Sequence, residues 1–147
     1  MSSLAWRCVN GKDFVSGAIN FVSRGAVCHV EFIFPDGTSI GAHADGGVAV
    51  RKVEPCAVDY RFSAPCTDEQ SEKAINFLRG QIGKPYDFLD IIGIMANRDW
   101  HNPQRWICSE LWAATMEAAG LIGMLPTAVQ LVTPQDALII SAAMFGR

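Results

Sequence analysis

Several features that mark large classes of protein are missing from this chain of 147 residues. Its 12 lysines and arginines form no cluster and the net charge is −3, so a nucleic-acid-binding surface is not expected. No apolar run reaches the roughly 18 residues that a membrane span needs. Residues 1–7 lack the basic start and apolar core of a secretory signal, so the sequence predicts a protein that begins its life in the cytoplasm.

The five cysteines show neither a disulfide framework nor a metal-binding pattern. Their number is odd, none forms a C-x-x-C pair, and their spacing matches no zinc site. A free cysteine behaves as a small apolar side chain, so burial in the core is expected for four of them, namely Cys8, Cys28, Cys56 and Cys66. No cofactor is expected.

The composition predicts a single domain over residues 1–147. Half of the residues are hydrophobic and 18% are charged, which separates the chain from disordered sequences. No internal repeat, low-complexity tract or linker divides it.

Residues 27–53 have the pattern of an antiparallel meander of three strands. Asp36-Gly37 lies between two apolar runs, which is a strong hairpin signal, and a second glycine-rich turn follows. A hairpin folded there pairs residue 29 roughly with residue 44. It therefore brings His29 and His43 side by side at one edge of a sheet.

Other segments show helical spacing of apolar residues. Helices are predicted over residues 13–24 and 88–96. Residues 97–104 are predicted to form a polar loop. Residues 54–65 contain two prolines and are expected to form an extended connector or a short strand.

Two helix starts have clear capping signals. Thr67 is a good N-cap with Gln70 placed to complete a capping box. Thr133 is a second N-cap, and Pro134 occupies the first helical position before an apolar tail that is helical or strand-like. These patterns together predict an α+β protein in which a small antiparallel sheet packs against helices.

Cys108 differs from the other cysteines because a helical pattern begins at it. Apolar residues three and four apart follow, and Gly120 ends the run. Cys108 is therefore predicted in the first helical turn, where unpaired N–H groups and the helix dipole favour a thiolate. The polar Ser109 and Glu110 beside it suggest that the position is not fully enclosed; one more buried core cysteine is the alternative.

A cysteine nucleophile needs a base within hydrogen-bonding reach and a group that orients the base. The chain has three histidines, and His101 falls in a polar loop where solvation is expected. His29 and His43 can supply the base and a neighbour that fixes its tautomer.

Other roles for the two histidines are open at the level of sequence. Each can be an ordinary polar residue of a strand. With Glu31 or Asp45 they could bind zinc, although no i, i+4 histidine pair on a helix supports this, so no metal is predicted.

Four short motifs then occur in an order that resembles a known family. They are His29-Val30-Glu31-Phe32 at the head of a strand, Gly46-Gly47-Val48 after His43, Gly83-Lys84-Pro85-Tyr86, and Cys108-Ser109-Glu110-Leu111 at a helix start. This set resembles the NlpC-type papain-like cysteine peptidases. Because the histidine precedes the cysteine, it resembles their circularly permuted branch, which includes the YiiX-like proteins and, more distantly, the lecithin-retinol-acyltransferase-like proteins. The resemblance covers roughly residues 23–120.

The resemblance implies a papain-like fold and assigns roles to particular residues. Cys108 would be the nucleophile, His29 the base and His43 the orienting third member. The residues expected around the oxyanion or the substrate are Tyr86, Cys108 through its backbone N–H, Ser109 and Glu31. One departure is the segment 87–105, which lacks the usual glycine-rich turn and leaves the shape of the substrate groove open.

The implied activity is that of a thiol-dependent hydrolase. It would cleave an amide bond through an acyl-enzyme, in a peptide or in a peptidoglycan stem peptide. Two alternatives stay open: a lipid acyltransferase or thioesterase acting on an acyl substrate, and a non-catalytic binding module on the same scaffold. Without a signal segment, a wall hydrolase would be exported by another route or carried in a phage particle.

Overall fold

A five-stranded antiparallel sheet organises the protein in the computed structural model, which describes residues 1–10, 25–87, 104–123, 129 and 131–146. The strands are β1 (Ser2–Asn10), β2 (His29–Ile33), β3 (Thr38–His43), β4 (Gly47–Lys52) and β5 (Val58–Cys66). Their order in the sheet is β4-β3-β2-β1-β5. The predicted helices over residues 13–24 and 88–96, and the loop over residues 97–103, lie outside the described residues.

The predicted meander is confirmed as β2, β3 and β4. At the first turn Asp36 Oδ1 accepts hydrogen bonds from Thr38 N (2.9 Å) and Thr38 Oγ1 (2.6 Å). Gly37 adopts a φ of 81°, a backbone conformation that glycine tolerates best. Phe32 pairs with Ile40, and continuing this register places residue 29 opposite residue 43, one position from the predicted partner.

Strand β1 was not predicted from the sequence. It lies between β2 and β5, and most of its residues are buried, including Trp6, Arg7 and Cys8. A strand covered on both faces loses the alternation of apolar and polar residues by which a half-buried strand is recognised.

Of the two alternatives predicted for residues 54–65, an extended connector or a short strand, the structure shows a strand, β5, from residue 58 onward. All nine of its residues pair with β1, and Pro65 lies opposite Ser3. The strand is at the edge of the sheet, which is where a proline without an N–H can be accommodated.

Three helices complete the described part of the fold: α1 (Asp68–Gln81), α2 (Cys108–Ala118) and α3 (Pro134–Phe145). The capping box before α1 is confirmed, since Thr67 Oγ1 accepts from Gln70 N at 3.1 Å and Gln70 Oε1 accepts from Thr67 N at 3.0 Å. Gly120, with a φ of 68°, follows α2 as predicted.

The apolar tail, left open between helix and strand, is the helix α3. Thr133 Oγ1 accepts from Asp136 N at 3.1 Å, and Pro134 occupies the first turn as predicted. No helix of the described residues combines the length and the apolarity that crossing a bilayer would require.

Trp6 of β1 joins the sheet to two helices. Its ring centroid lies 6.0 Å from that of Trp112 in α2 and 5.2 Å from that of Phe145 in α3. Its indole Nε1 donates to Ser141 Oγ at 2.8 Å, so the polar atom of a fully buried side chain is satisfied. These contacts fix α2 and α3 against the centre of the sheet.

The cysteine predictions are confirmed for three residues and wrong for one. Cys8, Cys28 and Cys66 are buried, whereas Cys56 is only partly buried. Cys56 lies in the connection between β4 and β5, outside the strands that pack against the helices. All five cysteines are free thiols.

Candidate active site

Two histidines meet at one end of the sheet. His29 is the first residue of β2 and His43 is the last residue of β3. Their ring centroids are 4.8 Å apart with an angle of 35° between the planes. The side-by-side placement predicted from the hairpin is therefore confirmed.

Cys108 is the first residue of α2, as predicted. Its predecessor Ile107 is extended and provides no side-chain cap, while Glu110 Oε2 accepts from Ile107 N at 3.4 Å. The Cys108 thiol is within hydrogen-bonding reach of the His29 ring, and its Sγ lies 3.9 Å from Cys28 O. His29 and Cys108, which are 79 positions apart in the sequence, are thus brought into contact.

The expectation that polar neighbours keep Cys108 open is wrong. Cys108 is 2% exposed, and both Ser109 and Glu110 are fully buried. Ser109 Oγ donates to Val132 O at 2.5 Å, so its hydroxyl ties α2 to the segment before α3 rather than facing a substrate. Both side chains thus have a hydrogen-bond partner inside the protein, Ser109 at Val132 O and Glu110 at Ile107 N, and do not need to face solvent.

The site is open on the side of the histidines. The side chains of His29 and His43 retain 20% and 13% exposure, more than Cys108 or Tyr86. A substrate would therefore reach the thiol past the imidazole rings.

Glu31 lies behind both histidines. Its Oε2 is 3.5 Å from His29 Nε2 and 3.8 Å from His43 Nε2, and it also accepts from Ser39 Oγ at 2.9 Å. The carboxylate is only 4% exposed. This position suits a group that orients imidazoles better than the substrate contact expected from the sequence.

Arg7 was not identified from the sequence, yet it anchors this carboxylate. Its Nε and Nη2 atoms contact Glu31 Oε1 at 2.7 Å and 2.6 Å. Its Nη1 donates to Glu54 O at 2.7 Å and lies 3.2 Å from Asp59 Oδ2. Arg7 pairs with Glu31 across β1 and β2. In the sequence, the feature that could have identified Arg7 is that it is the single charge within the apolar run over residues 4–9.

The environment drives the pKa values of the two histidines apart. Burial lowers the pKa of His29, but the adjacent Cys108 thiol and Glu31 carboxylate outweigh it and raise that pKa to about 10. Burial, and then the positive charges of His29 and Arg51, lower the pKa of His43 to about 4. At neutral pH His29 is an imidazolium and His43 is a neutral imidazole.

Glu31 stays ionised despite its burial. Burial raises the pKa of the carboxyl, but contacts with His29, Arg7 and Ser39 lower it to about 2. The site therefore contains a fixed negative charge on the side of His29 that faces β3.

Tyr86 is the last residue of the Gly83-Lys84-Pro85-Tyr86 motif. It is 6% exposed and forms an isolated parallel bridge with Trp106. Burial, followed by the charges of Cys108 and Cys28, raises the pKa of Tyr86, so its phenol remains protonated. A protonated phenol is a hydrogen-bond donor.

Two of the quoted motifs are in direct contact. Val48 N donates to Lys84 O and Gly83 N donates to Val48 O, both at 2.9 Å. The Gly-Lys-Pro-Tyr segment is therefore fastened to the turn that follows His43. Gly47, with a φ of 69°, lets the Lys84 backbone approach closely, because a Cβ there would overlap the Lys84 carbonyl.

A small residue is also required in the middle of β3. A Cβ on Gly41 would lie 2.9 Å from Glu31 Cβ and 3.3 Å from His29 Nε2. Glycine inside a strand is a signal of close approach, and here it allows Glu31 and His29 to lie over the backbone.

The same geometry provides a possible set of metal ligands. His29, Glu31 and His43 each offer one ligand atom, and these atoms all lie within 4.8 Å of one another. The other carboxylate considered from the sequence, Asp45, instead pairs with Arg51 at 2.8 Å.

The chain matches no protein-family model and no curated protein. The prediction that His101 is solvated lies outside the described residues.

Proposed function

We propose that the protein is a cysteine hydrolase that cleaves an amide bond through Cys108 and His29. The observation that carries this proposal is the contact between a thiol at a helix start and an imidazole backed by a buried carboxylate. We infer in addition that the five-stranded sheet and α2 form a permuted papain-like arrangement, in which the helix carries the nucleophile and the sheet carries the base.

His29 presents different nitrogens to its two neighbours. Its Nε2 edge faces Glu31 and the Gly41 backbone of β3. Nδ1 is then the nitrogen that shares a proton with Cys108. Transfer of the thiol proton to Nδ1 gives a thiolate–imidazolium pair, which the dipole of α2 further favours.

The reaction follows from this pair. The Cys108 thiolate attacks the amide carbonyl carbon and forms a tetrahedral oxyanion. The imidazolium of His29 gives its proton to the leaving nitrogen as the C–N bond breaks, which leaves an acyl-thioester and releases an amine. Water, deprotonated by His29, then hydrolyses the thioester to a carboxylic acid and restores the thiol.

We assign two donors to the oxyanion. The backbone N–H of Cys108 belongs to the first turn of α2, where N–H groups have no partner within the helix. The Tyr86 hydroxyl, which stays protonated, is the second donor that the resemblance implies. Donors aimed at a developing oxyanion are each worth roughly 10²–10³ in rate.

Glu31 is the stronger candidate for the orienting group. It is negatively charged, held by Arg7 and Ser39, and nearest to His29 Nε2. His43, the third member expected from the sequence, stays neutral and packs beside the base ring. Glu31 therefore stabilises the imidazolium through its charge, while His43 packs beside the ring.

Alkylation of Cys108 tests the nucleophile and base directly. Iodoacetamide at pH 6 is expected to modify Cys108 faster than Cys56, the most exposed of the other cysteines, as followed by peptide mass spectrometry. His29→Ala should remove the advantage of Cys108 and leave the Cys56 rate unchanged. If native Cys108 reacts no faster than Cys56, the proposed function is overturned.

Substrate class is decided by turnover. Muropeptides and other peptides are expected to release an amine in the presence of the protein, and Cys108→Ala should abolish the release. Release of acid from acyl esters alone, with peptides left intact, would instead identify the lipid acyltransferase or thioesterase alternative.

A further inference from the structure

We propose that His29, Glu31 and His43 form a binding site for a divalent cation of the zinc type, and that occupation of this site stops turnover at Cys108. The binding half of this inference stands on the three ligands alone. The regulatory half rests on the proposed function.

The separations suit a zinc ion after small movements. Zinc bonds of about 2.0–2.1 Å in a tetrahedral site place neighbouring ligand atoms about 3.4 Å apart. Glu31 Oε2 is 3.5 Å from His29 Nε2 and 3.8 Å from His43 Nε2. All three ligand atoms lie within 4.8 Å of one another, so side-chain shifts of less than 1 Å close the site.

Within the described part of the chain, neither of the two imidazole Nε2 atoms is held by a hydrogen bond. Among the residues that the structure describes, neither His29 Nε2 nor His43 Nε2 has a partner in hydrogen-bond geometry, although both atoms are buried. Buried nitrogens without a partner are costly, and a cation between them would satisfy both.

The carboxylate is already oriented for this role. Arg7 holds Oε1, and Ser39 donates to Oε2 while leaving room for a second contact. Hydrogen bonds of this kind commonly fix carboxylate ligands of metal ions. Three protein ligands of the His₂Glu type leave a fourth position for water.

Metal binding would remove the base from the thiol reaction. A cation on Nε2 holds His29 as the tautomer that carries its proton on Nδ1. The ring is then a neutral metal ligand with one proton, on Nδ1, so it can act neither as the imidazolium that protonates the leaving nitrogen nor as the base that deprotonates water. The cation must also displace whatever proton Nε2 carries, because only a neutral imidazole binds a metal.

Direct binding provides the first test. Metal-free protein is titrated with Zn²⁺ against a chromophoric chelator and, separately, with Co²⁺, whose visible spectrum reports tetrahedral coordination. One ion per chain is expected for the wild type. His43→Gln and His43→Ala should weaken the affinity at least about tenfold, and circular dichroism checks that each variant is folded.

Two variants control for other binding modes. Asp45→Asn removes the alternative carboxylate, which the structure pairs with Arg51, and should leave zinc affinity unchanged. Cys108→Ala should also still bind one ion, since the thiol is not among the three primary ligands. Any one of three results would overturn the site. They are loss of zinc binding in Cys108→Ala, the same zinc affinity in both His43 variants as in the wild type, and the absence of stoichiometric binding.

The regulatory half has a separate readout. One equivalent of Zn²⁺ is expected to slow the release of amine from a peptide substrate at least tenfold, and EDTA should restore the rate. Unchanged amine release with zinc bound would overturn the switch. If zinc binds as expected but metal-free Cys108 has no enhanced reactivity, the proposed hydrolase fails while the metal site stands.

Discussion

Arg7 and Glu31 face each other across β1 and β2, and two guanidinium nitrogens of Arg7 contact the same carboxylate oxygen of Glu31. Arg7 Nε and Nη2 lie 2.7 Å and 2.6 Å from Glu31 Oε1. Both side chains are 4% exposed. Because the second carboxylate oxygen faces His29, this pair sets the position of the proposed base from within the sheet.

Removing the Arg7 charge should weaken both the fold and the site. Arg7→Met leaves the Glu31 carboxylate buried without its partner, and such a loss typically costs about 3–5 kcal/mol. Urea unfolding measures the change in the free energy of unfolding. Arg61→Lys is the matched control, because Arg61 pairs with Asp59 at the surface and is 57% exposed; a change below about 1 kcal/mol is expected there. Equal effects of the two substitutions would contradict the role given to Arg7.

Glu31 and His43 can be ranked as orienting groups. Glu31→Gln keeps the shape but removes the charge beside His29 Nε2, so the pKa of His29 should fall and alkylation of Cys108 at pH 6 should slow by at least about tenfold. His43→Ala should slow alkylation less, because His43 is neutral near pH 7. Histidine NMR titration in the presence of EDTA and alkylation rates measure both effects. If His43→Ala slows alkylation of Cys108 more than Glu31→Gln does, then His43 and not Glu31 is the orienting group.

Gly41→Ala should damage the site by steric overlap. The new Cβ would lie 2.9 Å from Glu31 Cβ, so either β3 or Glu31 must move. We expect a loss of about 1–3 kcal/mol in stability, together with slower alkylation of Cys108.

Gly80→Ala is the matched control for this substitution. Nothing lies within 4 Å of a Cβ on Gly80, which belongs to helix α1. The same chemical change should stabilise the protein there by roughly 0.5–1 kcal/mol. Chemical denaturation of both variants gives the comparison, and a Gly41→Ala protein as stable and as reactive as the wild type would disprove the close approach.

Acid should destabilise the protein through Glu31. The folded pKa of Glu31 is lowered to about 2 from 4.5, so its contribution is complete above about pH 4.5 and is lost as the pH falls toward 2. Unfolding by urea at pH 6, 4.5 and 3, with EDTA present, measures the loss. Glu31→Gln removes the titrating group and should show a smaller decline over the same interval. Parallel declines in the two proteins would assign the acid sensitivity to other carboxyls.

Local sequence signals determined much of the architecture. The Asp36-Gly37 turn, the Thr67 and Thr133 caps and the stop at Gly120 each depend on backbone preferences that act over a few residues. Hairpin pairing is equally local, so the sequence alone brought His29 and His43 together.

Only the tertiary structure decided which groups surround those histidines. Arg7, Glu31 and Cys108 come from two strands and a helix whose contacts depend on the order of strands in the sheet, and nothing within a few residues of Arg7 indicates that Glu31 will face it. The burial of Cys108 was decided in the same way, since Ser109 finds its partner at Val132, 23 residues further along the chain. Turns and helix caps can be predicted from the sequence because their hydrogen bonds and backbone preferences involve residues close together in the chain. Burial and charge pairing depend instead on which distant surfaces pack together.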